Sequence, residues 1–407
     1  MELQSYSSTS VQLSKTQKRD SMVVTGGCDR PLIVIIVLLI CFGAVMVFSA
    51  SYAYAYSDMN DSSYYLRRQL MHALIGFVFM AIAARLPYEY YRKYAILAYI
   101  LSIGLLILVL IIGINDGEAK RWLGYGSITF QPSEVAKFTL VLILAWYFEK
   151  KRRATLIRDY TVTTYLKSFL IGTVVPLIFI MISSVLVLAE KHLSGTIILL
   201  GLGVAVMWVG GSKKSFFVVL VIAICTVFAL LFINSELFKD NILQGYQWKR
   251  IDMWLHPENY DPLSDTWQTD QGLIAVGSGG IWGRGLCNSL QKHLFISEPQ
   301  NDFIFAVLCE ELGMLGAFTL IVLYMVFFLR CLHIAKRAPD LFSSLTVIGI
   351  ASHVIIQALL NMMVVTSMLP NTGISLPFFS YGGSSLIILM CEMGVILSIS
   401  RCTRIQK

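Results

Sequence analysis

The sequence predicts an all-α, polytopic membrane protein with about ten transmembrane helices, and three observations carry that prediction. The 407 residues have a mean hydropathy of +0.69, with 56% hydrophobic and only 14% charged side chains. Apolar runs of about 20 residues recur along the chain, each able to cross a hydrocarbon core roughly 30 Å thick. Lysines and arginines fall in short clusters between those runs, the pattern of cytoplasmic loops. The same clustering argues against nucleic acid as a partner, although the net charge is +7.

Taken in order, residues 1–30 are rich in Ser, Thr and Lys and read as a disordered cytoplasmic tail. The first apolar run is too long for a removed signal peptide and lacks a small-residue cleavage site. Spans are expected at roughly 32–54, 69–86, 94–114, 132–148, 168–188, 193–210, 215–234, 303–330, 341–364 and 378–400, which makes residues 31–400 one transmembrane domain. Residues 401–407 form a short C-terminal tail. An even number of spans puts both termini on one side. With the N-terminus in the cytoplasm, that side carries about 21 Lys and Arg against about 10 on the other, anchored by Lys150, Lys151, Arg152 and Arg153. The informative loops, 115–131, 189–192, 235–302 and 365–377, then face the exterior. Six of the eight cysteines lie in or at the ends of apolar runs, so no disulfide or metal framework is visible.

The 235–302 segment is far longer than the other connections, and loops of such length tend to be functional. Asn234–Trp254 and Gln268–Ile281 have amphipathic character, and Trp248, Trp254, Trp267 and Trp282 are spread along the segment. Interfacial helices in the headgroup layer, over a cavity, are expected.

Four polar constellations gather on this face. The stretch Gln271 to Gly316 runs from a glycine-rich basic loop into Asp302 and then into an apolar helix holding Glu310 and Glu311. An ionisable side chain at membrane depth is costly unless it faces protein or a wet cavity. On an ideal helix Glu310 lies eight residues beyond Asp302 and only some 80° around, so it is the expected cavity liner, while Glu311 points away in a structural role. Arg121-Trp122 precedes Gln131-Pro132-Ser133-Glu134, where Pro starts a helix and Glu134 and Lys137 share a side. They could line a polar cavity or form an ion pair that only fixes packing. Glu190 to Thr196 turns between two apolar runs. Pro370 to Ser385 is a Pro- and Gly-broken approach to the last helix, tolerated at depth only beside protein or water.

These stretches resemble one family in order. R-W…Q-P-S-E-x-x-K (Arg121 to Lys137), G-S-G-G-I-W-G-R-G-L…S-L-Q-K (Gly277 to Lys292), E-P-Q-N-D-F-I-F-A-V…E-E-L-G (Glu298 to Gly313) and L-P-N-T-G-I-S-L-P-F-F-S-Y-G-G-S-S (Leu369 to Ser385) closely resemble the shape, elongation, division and sporulation (SEDS) proteins, the FtsW, RodA and SpoVE type. Met46 to Ser51 and the Glu298 to Phe303 context are nearest to the FtsW and SpoVE branch. The resemblance implies a ten-helix peptidoglycan glycosyltransferase of the cell membrane, its site facing the exterior. It would polymerise lipid II into a nascent glycan strand beside a class B penicillin-binding protein. It also implies inversion at the anomeric carbon and an essential aspartate at Asp302.

The chemistry asks for the same groups. A base must take the acceptor hydroxyl proton and cations must stabilise the leaving pyrophosphate. Asp302 is the candidate base; burial would raise its pKa while the helix N-terminus opposes. Arg121, Lys137, Arg250, Arg284 and Lys292 are the cationic candidates, and glycines including Gly280 and Gly285 would let backbone amides approach an anion. Glu134, Ser289, Glu310, Asn361, Thr372, Ser380 and Ser384 complete the candidate substrate-binding set. A divalent cation, Mg²⁺ or Mn²⁺, could bridge the pyrophosphate and Asp302, although no ligand cluster demands one. The glycine run lacks the strand and spacing of a Rossmann or P-loop motif. Two departures from the family stand out: Lys191 and His192 replace a proline and an aspartate, and Ser264 to Gln268 with Gln271-Gly272 replaces the usual acceptor-loop motif. Two other classes fit a polytopic chain with buried charges: a lipid II flippase or other transporter, and a scaffold for the transpeptidase.

Overall fold

A computed structural model describes residues 23–116, 119–125, 128–155, 161–233, 246–264, 266–293 and 295–404. The chain is a bundle of long helices. In order they are α1 (Arg30–Met59), α2 (Tyr64–Arg85), α3 (Tyr88–Ile112), α4 (Pro132–Thr155), α5 (Val162–Phe169) running through a π-helical turn into α6 (Val175–Ala189), α7 (Leu193–Gly210) and α8 (Lys214–Ile233). Two short helices follow, α9 (Tyr246–Leu255) and α10 (Trp267–Ser278). Then come α11 (Ile304–Arg337), α12 (Leu341–Val365) and α13 (Gly383–Ser400). Eight helical segments among the described residues are long and apolar enough to cross a membrane. The charged α4 and the apolar α8 fill the other two expected places.

The helices overrun their apolar runs where charged or aromatic residues cap them. α2 begins at Tyr64 instead of 69 and α3 at Tyr88 instead of 94. α13 begins at Gly383 instead of 378, because residues 377–380 form a turn and bend and 381–382 follow it in non-helical backbone. Its close neighbour is α2: a Cβ at Gly394 would fall 2.4 Å from the Met80 carbonyl oxygen, so no other residue lets these backbones meet without a shift. α12 packs against α4, α7 and α11, at the heart of the buried apolar cluster.

Three features depart from the expected all-helical plan. The loop before α4 folds into a small antiparallel sheet of β2 (Ile114–Asp116), β3 (Ala119–Tyr125) and β4 (Ile128–Phe130). The two tails pair as β1 (Val23–Thr25) with β5 (Cys402–Arg404), and Gly26 N donates to Arg401 O. That pairing puts both ends on one face, as an even number of spans requires. The remainder of the expected N-terminal tail, residues 1–22, and residues 405–407 lie outside the described residues, as do 234–245 of the expected amphipathic stretch.

The third departure is a break inside α11. Gly313 sits at φ 64°, ψ −163°. The Gly279–Gly285 loop docks on the break: Arg284 N and Gly285 N donate to the carbonyls of Glu310 and Glu311, and Gly280 and Ile281 accept from Met314 N and Leu315 N. Backbone groups freed by the kink are therefore satisfied by the loop, as an apolar surround demands.

The tryptophans of the long segment are placed as follows. Trp248 is buried, Trp254 Nε1 donates to Ser367 O, and Trp267 Nε1 to Phe295 O; among the four, Trp282 alone is exposed, at 81%. Trp254 thereby ties α9 to the chain just past α12, and Trp267 ties α10 to the loop that follows it.

Candidate active site

A cavity of about 260 Å³ lies where the β3 arm, the α6–α7 turn, the start of α4, the segment before α11 and the segment before α13 converge. Arg121, Glu134, Lys137, His192, Glu298 and Asp302 all line it. All four constellations read from the sequence thus contribute to its walls, the α6–α7 turn through His192, Ser194 and Gly195.

Asp302 is placed by its backbone. Asn361 on α12 uses both Nδ2 hydrogens, donating to Asp302 O at 2.8 Å and Ile374 O at 2.6 Å. Ser380 Oγ donates to Asn301 O and accepts from Leu376 N, each at 2.7 Å, while Tyr381 N donates to Gln300 O. The segments 298–302 and 371–381 are thereby stitched together. Gly373, at φ 69°, passes so near that a Cβ there would lie 3.1 Å from Asp302 Oδ2 and 4.0 Å from Arg250 Nη1. Arg250 in turn donates to Asn371 O at 2.7 Å. Burial pushes the Asp302 carboxyl up to about 6; Arg250 and Arg121 oppose it and Glu298 adds to it. Burial thus outweighs the two arginines.

The cations are held differently. Lys137 Nζ pairs with Glu134 at 2.8 Å and donates to Gln357 Oε1 at 3.0 Å. An ammonium has three hydrogens, so one remains for whatever enters the cavity. Arg121 Nη2 donates to Lys191 O at 2.7 Å, which ties the β3 arm to the α6–α7 turn. His192 is pushed down to about 3 by burial and by Arg121 and Lys137, so the imidazole is neutral. Its Nδ1 lies 3.4 Å from Ser133 Oγ. Glu190 behind it is pushed up to about 8 by burial.

Of the fifteen expected site residues, Arg121, Glu134, Lys137 and Asp302 line this cavity and the other eleven do not. Lys292 is wholly buried, with Nζ 2.6 Å from Glu311 Oε1 and 3.3 Å from Ser49 Oγ. Glu310 is equally buried and accepts from Ser289 Oγ and from the backbone of Leu290 and Gln291, with Arg284 Nε 3.7 Å away. Glu310 is therefore no cavity liner, and both glutamates are structural. The physical reason is the docked loop: residues 284–292 cover the helix face that an isolated helix would have turned to the site. Two glycines of this loop have a packing reason of their own. A Cβ at Gly279 or Gly283 would fall 2.0 Å from Cys309 O or 2.1 Å from Glu311 O, so these residues let loop backbone meet helix backbone. Gly280 and Gly285, at φ 56° and 96°, turn that loop. Thr372 and Ser384 are buried or half-buried beside the cavity without lining it.

Glu298, Gln357, Ser375 and Tyr381 line the cavity and were passed over as candidates. A signal for Gln357 was present: His353, Gln357 and Asn361 recur at four-residue spacing in an apolar run, on one helical face. Among the described residues no group of three or more His, Cys, Asp or Glu is placed to hold a metal ion. Asp302 and Glu298 supply two carboxylates, which suits Mg²⁺ only with phosphate oxygens completing the shell.

The chain is similar to known proteins along most of its length. Residues 30–405 match the family model described as cell cycle protein, covering FtsW, RodA and SpoVE. The chain is 35% identical over 379 residues to stage V sporulation protein E of Bacillus subtilis, covering 92% of this chain and 98% of that one. It is 33% identical over 378 residues to the probable peptidoglycan glycosyltransferase FtsW of a Geobacter species, covering 92% and 97%. Among solved structures, a chain of a peptidoglycan synthase complex that coordinates polymerization and crosslinking superposes with a TM-score of 0.72 at 25% identity, covering 92% of this chain and 98% of that chain. Rod shape determining protein RodA of Thermus thermophilus shares the fold, with a TM-score of 0.63 at 24% identity over 92% and 97%.

Proposed function

We propose that this chain, which belongs to the FtsW, RodA and SpoVE family of cell cycle proteins, is a multi-pass membrane peptidoglycan glycosyltransferase that polymerises lipid II, with Asp302 as its general base. The observation that carries the reading is the carboxyl of Asp302, raised to about 6, opening to a cavity shared with Arg121 and Lys137. A base poised near the working pH is ionised in most molecules and still basic enough to accept a proton in the transition state.

In the reaction a sugar hydroxyl of the acceptor attacks the anomeric carbon of the donor. Asp302 takes the hydroxyl proton, the new C–O bond forms, and the old one breaks with its electron pair leaving on pyrophosphate. Lys137, through its remaining N–H, and Arg121 sit on the same cavity to stabilise that charge, with Arg250 beside Asp302. Asn361 and Ser380 hold the Asp302 segment in place. A Mg²⁺ or Mn²⁺ ion, if bound by Asp302 and Glu298, would neutralise part of the pyrophosphate charge.

The cavity lies on the exterior face by the distribution of Lys and Arg, and a class B penicillin-binding protein is the partner that would crosslink the product. Purified chain with its cognate transpeptidase, given labelled lipid II in vesicles, tests the reading. Glycan polymer is expected. Lipid movement across the bilayer without polymer would make the chain a transporter, and complex assembly with neither would make it a scaffold.

A further inference from the structure

Behind the cavity a chain of buried polar side chains runs into the bundle. Lys137 Nζ donates to Gln357 Oε1 at 3.0 Å, His353 Nε2 lies 3.1 Å from the same oxygen, and His353 Nδ1 lies 3.0 Å from Glu392 Oε2 on α13. His353 is 3% exposed and Glu392 0%. Neither takes part in the chemistry described above, yet each is expensive to keep among apolar helices.

The hydrogen-bond directions are fixed by elimination. Gln357 Nε2 donates to the Ser375 carbonyl at 3.0 Å, and a carbonyl can only accept. The amide is therefore oriented with Oε1 toward Lys137 and His353. Oε1 can only accept, so His353 Nε2 must carry a hydrogen. At Nδ1 one proton is then shared with Glu392 Oε2: either the imidazole is doubly protonated beside a carboxylate, or it is neutral and the carboxyl donates. The couple has no net charge in either form, and in both Nε2–H faces Gln357.

We propose that His353 is a positioning residue for Lys137, acting through Gln357, and that Glu392 is the acid that holds His353 in the required protonation pattern. Two donors converging on Oε1, from α4 and α12, with Ser375 anchoring the other end of the amide, leave Lys137 one place to stand. Without Nε2–H, Gln357 loses its lateral restraint and its buried oxygen an accepted bond. The consequence appears at the cavity, as weaker stabilisation of the leaving pyrophosphate.

This inference rests on the glycosyltransferase reading, and the experiment separates the two. Full-length chain in nanodiscs with its transpeptidase is assayed for lipid II polymerisation, lipid II affinity and thermal unfolding. No polymer from the wild type would count against the function itself. Given wild-type polymerisation, His353→Phe is expected to lower kcat/KM roughly tenfold, and His353→Gln, which keeps a donor toward Gln357, to recover most of it. Glu392→Gln still donates to Nδ1 and is expected to stay near wild type, whereas Glu392→Leu follows His353→Phe. Affinity measured in a double-mutant cycle isolates the path: in a Lys137→Met background, His353→Phe is expected to add no further loss. Additive losses, a wild-type His353→Phe, or a Glu392→Gln as impaired as Glu392→Leu would overturn the proposal. A drop in unfolding temperature without a change in kcat/KM would overturn it as well, leaving a packing role only.

Discussion

The elevated pKa of Asp302 makes a quantitative claim about the acid side of the pH profile. A base that titrates at about 6 is only about one-eleventh ionised at pH 5 and about ten-elevenths at pH 7. The polymerisation rate should therefore rise roughly tenfold between those values. A carboxylate at its ordinary value of 3.8 would be almost fully ionised at both, and the rate would be flat. The neighbours supply the sign test. Arg250 holds the carboxyl down, so Arg250→Gln should move the acid limb to higher pH; Glu298 holds it up, so Glu298→Gln should move it to lower pH. Asp302 Oδ2 and Arg250 Nη1 both lie close to one point beside Gly373, which puts them no more than about 7 Å apart. A unit charge at that range in a medium of effective dielectric about 20 is worth about 2 kcal/mol, so a shift on the order of one pH unit is expected. The assay is initial-rate polymerisation of labelled lipid II between pH 4.5 and about 8.5, a range chosen to bracket the limb. A profile flat down to pH 5, or limbs that move in the same direction in both variants, would refute the reasoning.

Other outcomes follow from the packing. Lys292→Met strands the Glu311 carboxylate in the interior and should destabilise the fold by about 3–5 kcal/mol, while Lys292→Met with Glu311→Gln should regain most of it; unfolding temperature reads both. Gly283→Ala should lower that temperature far more than Gly280→Ala. Both sites have positive φ, but a Cβ at Gly283 meets Glu311 O at 2.1 Å, whereas one at Gly280 meets nothing within 4 Å. Asn361→Leu leaves two buried carbonyls unpaired, at a cost of about 2–3 kcal/mol, and should lower turnover as well because Asp302 loses its anchor.

The helices were legible because burial in lipid leaves apolar runs of a set length, and ten such places are filled. Glu134, Lys137 and Asp302 were legible as companions because each sat at or near the exterior end of a span, and Arg121 because it sat in the loop leading into one of them. Glu310 was misread for a physical reason. Helical projection tells which way a side chain points, not which loop covers that face, and residues 284–292 cover it. The glycines of that loop gave the same signal that an anion cradle would, since both need backbone without a Cβ. His353 and Glu392 lie on different helices, so only the folded bundle reveals that they meet. The tail pairing of Val23–Thr25 with Cys402–Arg404 was equally out of reach, because three-residue strands carry almost no period.

The central claim is that Asp302 removes the acceptor proton, and Asp302→Asn tests it most directly. Asparagine keeps the shape and leaves the Asn361 hydrogen bond to the residue 302 carbonyl in place, but it has no basicity. With lipid II and the transpeptidase present, the account predicts a variant that folds, binds lipid II and assembles with its partner, yet forms no glycan strands at any pH between 5 and about 8. Glycan polymer formed by Asp302→Asn at a rate near that of the wild type would contradict it.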